Sequence, residues 1–235
     1  MKYAYYLKKF WLVYLLTTMV WLLAALAADQ AVTTVVQNTP QKRNVTVIID
    51  AGHGGEDGGA TSCTGVMESQ INLQIALRLR DLCHLLGYKT LMIRSSDISV
   101  YTEGNSIATK KLSDLRNRVR IVNDTVDGIL ISIHQNTFPD SKYSGAQVFY
   151  NKVPASTAFA EIMQSSFIAA LNTGSNRRCK PAKGIYIMEK IERPAILIEC
   201  GFISNPEEEN KLRSASYQQK ISCVISSALY SFLNS

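Results

Sequence analysis

Three histidines occur in 235 residues, and two of them close apolar, β-rich runs. One run ends in Asp50-Ala51-Gly52-His53-Gly54-Gly55 and another in Ser132-Ile133-His134-Gln135-Asn136. A third ends in Ile198-Glu199-Cys200-Gly201-Phe202, and Glu68 opens a helical pattern just after the glycine-rich loop. Two imidazoles and a carboxylate, with a fourth position left for water, suit a catalytic Zn²⁺. Such an ion lowers the pKa of water toward about 7 and polarises a carbonyl. A second carboxylate then has work as general base and proton carrier to the leaving group. The competing reading is a pair of buried or surface-polar histidines. A phosphate-cradling loop fits poorly, because Asp50–Ala60 lacks both a GK[ST] ending and a spaced GxGxxG.

These groups need a common frame. Apolar runs at 45–50, 89–94, 128–133, 145–150, 184–188 and 195–200 read as strands. Helical patterns fill about 67–86, 112–124, 155–172 and 214–233. Strands alternating with helices predict a single three-layer α/β domain over 45–235, with a mostly parallel sheet of about six strands flanked by helices. In such sheets ligands gather beyond the carboxyl ends of strands, where His53, His134 and Glu199 fall. In the first helix Ile71, Ile75, Leu79, Leu82 and Leu86 form an apolar stripe, and Gly87 stands where a C-terminal cap belongs.

The formal charge of +6 suggests a polyanion binder until its location is considered. Residues 10–28 form an uncharged run of 19 residues, about 28 Å as a helix and close to a bilayer core. Lys2, Lys8 and Lys9 precede it, which keeps the N-terminus inside and exports the rest. Ala25-Leu26-Ala27 resembles a cleavage site, so residues 1–28 are a signal peptide or a membrane anchor. Residues 29–44, polar around Pro40, read as a linker. Without the three leading lysines, 22 basic residues face 19 acidic ones. A charge of +3 and the lack of an Arg/aromatic recognition motif argue against nucleic acid. Five cysteines at irregular spacing form no CxxC pair and cannot all pair within the chain. Cys83 and Cys223 fall among apolar residues and are expected in the core; a Cys63–Cys179 pair is conceivable.

The chain from Val45 to Leu233 resembles the zinc-dependent N-acetylmuramoyl-L-alanine amidases of the type-3 catalytic domain. The likeness rests on IIDAGHGGEDGGA (48–60), Glu68 with Ile71-Asn72, Leu115–Asn123 with Arg118, SIHQN (132–136) and RPAILIECGFISNPEEENKL (193–212). The resemblance implies one Zn²⁺ held by His53, Glu68 and His134, with Glu199 as the catalytic glutamate. It implies hydrolysis of the amide joining N-acetylmuramic acid to L-alanine in peptidoglycan. Departures such as Val122, Gln135, Thr137 and Cys200 remove no reactive group. Asp50 is a candidate hydrogen-bond partner of His53 or its loop. Asn136 could orient a neighbouring group or merely shape a turn, and Arg118 could bind a substrate carboxylate or pair within the fold.

Small size, the N-terminal apolar segment and a bare catalytic domain look most like the germination-specific, spore-cortex members of that family. These strip stem peptides on the way to muramic-δ-lactam. That reading implies action outside the cytoplasm, including the forespore intermembrane space, and leaves room for an activating or localising protein partner. The alternatives are a general wall-remodelling amidase and a non-catalytic peptidoglycan-binding scaffold. His84 reads as structural. Glu207, Glu208 and Glu209 suit the positive end of a helix, and Arg177, Arg178, Lys180 and Lys183 read as a solvated loop that could meet anionic glycan.

Overall fold

The computed structural model describes residues 10–11, 14–24 and 45–235. The chain divides into two units, Met1–Lys42 and Arg43–Ser235. Residues 10–11 and 14–24 are helical, with exposed side chains. Among the described residues no helix is long and apolar enough to cross a membrane. The leading lysines, Ala25-Leu26-Ala27 and the linker at 29–44 lie outside the described residues.

The second unit runs β1 (Thr46–Ala51), α1 (Glu68–Leu85), β2 (Lys89–Met92), α2 (Ile107–Asp124), β3 (Gly128–Asn136), β4 (Gln147–Tyr150), α3 (Pro154–Ala170), β5 (Lys180–Pro181), α4 (Tyr186–Lys190), β6 (Ala195–Phe202), α5 (Pro206–Leu212) and α6 (Ala215–Leu233). The sheet order is β2-β1-β3-β6-β4-β5. All neighbours are parallel except β4 and β6.

The continuous apolar runs of β1, β3 and β6 mean burial on both faces, since successive side chains point to opposite sides. Val47, Ile49, Ile129, Ile131, Ile133, Ile196 and Ile198 enter one cluster with Ile71, Ile75, Phe159, Phe167, Ile221 and Leu229. Ile48, Leu130, Ala195 and Leu197 enter another with Val122, Ile187, Met188 and Ile191. Thus α1, α3 and α6 cover one face, and α2 and α4 the other. Each fully buried Ile or Leu adds about 1.5–3 kcal/mol of transfer free energy. Ile71, Ile75 and Leu79 of the predicted stripe are buried, but Leu86 is 44% exposed. Gly87, at φ 76°, donates to His84 O and Tyr88 donates to Cys83 O. That pair of bonds is a Schellman cap, which favours glycine.

Three expectations need correction. The run 184–188 is no strand: α4 occupies Tyr186–Lys190, while the sixth strand is the two-residue β5. A short apolar run fits either state, and here Gly184 turns at φ 73° while its N–H donates to Glu189 Oε1 at 2.7 Å, closing the start of a helix. Helix α2 starts at Ile107 rather than 112, because Ser106 and Thr109 bond reciprocally as a capping box. Cys223 lies on the exposed side of α6, whereas Cys83 is buried; all five cysteines are free.

Candidate active site

At the C-terminal end of β1 the ladder continues one bond further, Gly52 N to Ile133 O at 3.0 Å, and the chain then turns sharply. His53 adopts φ 61°, a left-handed backbone that costs a non-glycine residue about 1–2 kcal/mol. Two buried arginines hold this turn. Arg94 donates to the carbonyls of Ala51 (2.7 Å), Gly52 (3.0 Å) and Ser69 (2.9 Å). Arg118 donates to the carbonyls of Ala51 (3.2 Å) and His53 (2.9 Å).

Arg118 also pairs with Asp50, and with Asp114 at 2.5 Å, all nearly inaccessible to solvent. The Asp50 carboxylate accepts from Arg118 and from Ser132 Oγ (2.7 Å) rather than from His53. It serves the loop indirectly, through the arginine that grips the His53 carbonyl. Burial alone would raise the Asp50 pKa; Arg118, His134 and Ser132 together hold it below the usual carboxylate range. Arg118 is thereby engaged inside the fold and faces no open cleft.

Above this ionic bed three side chains converge. Glu68 is the first residue of α1, where the helix dipole favours a carboxylate. Its Oε1 lies 2.9 Å from His134 Nδ1, and its Oε2 lies 3.4 Å from His53 Nε2. One donor atom from each residue falls within 4.8 Å of the other two. The two imidazoles meet edge to face at 5.0 Å. Glu68 also accepts from the N–H groups of Ala60 (3.1 Å) and Gln135 (3.1 Å) and from Asn72 Nδ2 (3.2 Å). Burial would raise its pKa, but the bond from His134, the two histidine charges and Ala60 N–H bring it down to about 2. It therefore stays a carboxylate.

The glycines of the loop are a steric requirement of this packing. A Cβ on Gly52 would stand 2.2 Å from the His134 ring, and one on Gly59 would stand 2.7 Å from Glu68 Oε2 and from the His53 ring. The donor set fits zinc: two imidazoles and one carboxylate is a known catalytic combination. Ligands about 2.0–2.2 Å from a tetrahedral ion stand roughly 3.4 Å apart, and the donor atoms here, all within 4.8 Å of one another, would draw in around it.

Glu199 lies directly across the ladder from His134. Its Oε2 is buried and has no hydrogen-bond partner among the described residues. Burial raises its pKa to about 7, with the histidines opposing and Glu68 reinforcing the rise. An orphaned buried carboxylate oxygen beside the triad needs a partner from outside the protein. Asn136 ends β3, where the strand bulges against β6, and its carbonyl receives Ile203 N–H at 2.9 Å.

Two groups carry more than the sequence alone assigned them. Asp57 sits in the quoted glycine motif, and its carboxylate lies 2.9 Å from His53 Nδ1. Its signal was an acid four residues after the histidine in a loop tight enough to fold back. Glu208 and Glu209, read only as dipole partners, are buried anchors. Glu208 accepts from Gly145 N and Phe202 N, and Glu209 from Ser62 Oγ and Thr64 Oγ1. They tie α5 to the Ser62–Thr64 loop that precedes Glu68, to the start of the segment leading into β4 and to the end of β6. Glu56 points outward to Lys110, at 2.8 Å. His84 is exposed and bonds Thr90.

A family profile described as N-acetylmuramoyl-L-alanine amidase matches residues 47–231. The chain is 37% identical over 181 residues to the germination-specific N-acetylmuramoyl-L-alanine amidase of Bacillus subtilis, covering 76% of each. Among solved structures it resembles the CwlD amidase of Clostridioides difficile, solved in complex with the GerS lipoprotein. There the TM-score is 0.78 and the identity 36%, over 81% of this chain and 98% of that one. It also resembles the amidase AmiC2 of Nostoc punctiforme, with TM-score 0.71 and 26% identity over 83% of this chain and all of that one.

Proposed function

The chain belongs to the N-acetylmuramoyl-L-alanine amidase family, and from that premise we propose that it is a zinc enzyme of the spore cortex. It cleaves the amide between N-acetylmuramic acid and L-alanine, freeing muramic acid for δ-lactam formation. The observation that carries the catalytic reading is the His53–Glu68–His134 triad, with donor atoms within 4.8 Å, beside the unpartnered oxygen of Glu199.

Bound by these three residues, zinc supplies Lewis acidity, polarising the scissile carbonyl and lowering the pKa of water. Glu199 takes the proton of the attacking water and hands it to the departing alanine amine. A carboxylate with a pKa near 7 suits both halves of that transfer at neutral pH. Arg94 and Arg118 keep the His53 turn fixed, and the Glu68 hydrogen bonds hold one ligand in place before the substrate arrives.

The cortex assignment is supported by 37% identity to a germination-specific enzyme over three quarters of both chains. Residues 10–28, with lysines before them, support export of the catalytic unit, either anchored or released by cleavage. The C. difficile relative was solved with a lipoprotein, and a membrane-proximal protein partner is proposed for this chain too. The deciding experiment incubates the purified, zinc-loaded chain with spore-cortex peptidoglycan and analyses the products by mass spectrometry. Stem peptides with a free N-terminal alanine are expected. Intact peptidoglycan, or cleavage between sugars, overturns the assignment.

A further inference from the structure

We propose that Asp57 is a positioning residue for the metal site: its carboxylate fixes the tautomer and ring angle of His53 so that Nε2 faces the triad. This rests on the zinc reading above and concerns a residue to which that reading gives no part. A neutral imidazole that offers Nε2 to a metal must carry its proton on Nδ1, and whatever accepts that proton sets the ring's orientation. In this chain the acceptor is Asp57 Oδ2, at 2.9 Å.

The carboxylate is itself held by two groups and its backbone by a third. Lys111 Nζ lies 3.1 Å from the same oxygen, Gly59 N–H donates to Oδ1 at 3.3 Å, and the Asp57 backbone exchanges two hydrogen bonds with Gly54, at 2.8 and 3.2 Å. The acceptor is thus placed by the protein's own groups, independently of any metal. Among the described residues, Asp57 is the carboxylate bonded to His53 Nδ1, and its neighbours have other partners. Asp50 is committed to Arg118 and Ser132, Glu68 belongs to the triad, and Glu56 points to Lys110. His134 is handled differently, with Nδ1 toward Glu68 and the Nε2 side of its ring packed close to Gly52.

The test is zinc affinity, measured without substrate. The purified full chain and its Asp57→Ala and Asp57→Asn variants compete with a chromophoric chelator for zinc. ¹⁵N NMR of the metal-free proteins reads the His53 tautomer. Asp57→Ala is expected to weaken zinc roughly 10- to 100-fold and to mix the two tautomers. Asp57→Asn, whose amide oxygen still accepts from Nδ1–H, is expected to lose less affinity and keep the tautomer. Asp57→Ala within twofold of wild type overturns the inference. So does equal weakening by both variants with an unchanged tautomer, which marks a merely structural role. A wild-type chain that binds no zinc overturns the zinc reading itself.

Discussion

Glu199 is a carboxylate of the site whose environment pushes it toward neutrality, while its neighbour Glu68 is driven the other way. The difference lies in partners: Glu68 collects donors on both oxygens, and Glu199 Oε2 has none. One is therefore built to stay charged and hold a cation, the other to exchange a proton. Glu199→Gln removes the exchange without altering the triad. Hydrolysis should fall by roughly 10²- to 10⁴-fold while zinc content, read by atomic absorption, stays stoichiometric. Cleavage at wild-type rate would sink the assignment of Glu199. Because the base must be ionised, kcat/KM should decline as pH drops through its pKa, near 7 or below it once a cation occupies the triad. A profile flat from pH 5 to 8 would contradict that role. The same scale explains Gly52. An added Cβ 2.2 Å from the His134 ring must displace the ring. Gly52→Ala should cost about 1–3 kcal/mol of stability and weaken zinc in a calorimetric titration.

At the level of elements, the sequence showed the strand ends clearly because His53, His134 and Glu199 each close a β-rich apolar run of the kind a buried strand needs. It showed little of what holds the turn after β1, since Arg94, just beyond β2, and Arg118, on α2, reach the turn from separate segments and meet it only in the folded chain. Asp57 was equally hidden: a motif displays an acid in a glycine loop, but its bond to His53 depends on the left-handed turn. The misread run at 184–188 shows the same limit, for a five-residue apolar stretch has no period long enough to separate helix from strand. The buried Arg118 trio has a predictable energetic signature. Arg118→Ala would leave Asp50 and Asp114 without their counter-charge, Asp50 near the C-terminal end of the interior strand β1 and 2% exposed. Breaking a buried pair in this way costs about 3–5 kcal/mol, to be read from urea denaturation. The pH dependence follows from the lowered Asp50 pKa. Its contribution is complete above the unfolded carboxylate pKa of about 4 and is lost as pH falls toward the folded value. The wild-type protein should therefore lose stability in acid more steeply than the variant.

For the whole molecule, the decisive sequence feature is an imbalance between two units rather than the total charge. Three lysines stand ahead of an uncharged run of 19 residues, and Lys42 is the next basic residue. The catalytic unit that follows is nearly neutral, and its substrate class lies outside the cytoplasm. If the positive-inside rule governs this chain, its orientation depends on those lysines and not on the catalytic unit. A reporter fused after Ser235 tests this. Alkaline phosphatase, active only after export, should be active in the wild-type fusion. Replacing Lys2, Lys8 and Lys9 together with glutamate should reduce that activity several-fold and leave a fluorescent reporter at the same position bright. Gel mobility of the wild-type fusion separates the two forms of export: loss of about 28 residues means a cleaved signal, and full size in the membrane fraction means an anchor. Phosphatase activity unchanged by the triple substitution would show that the leading lysines do not direct export, and the catalytic unit would need another route to its substrate.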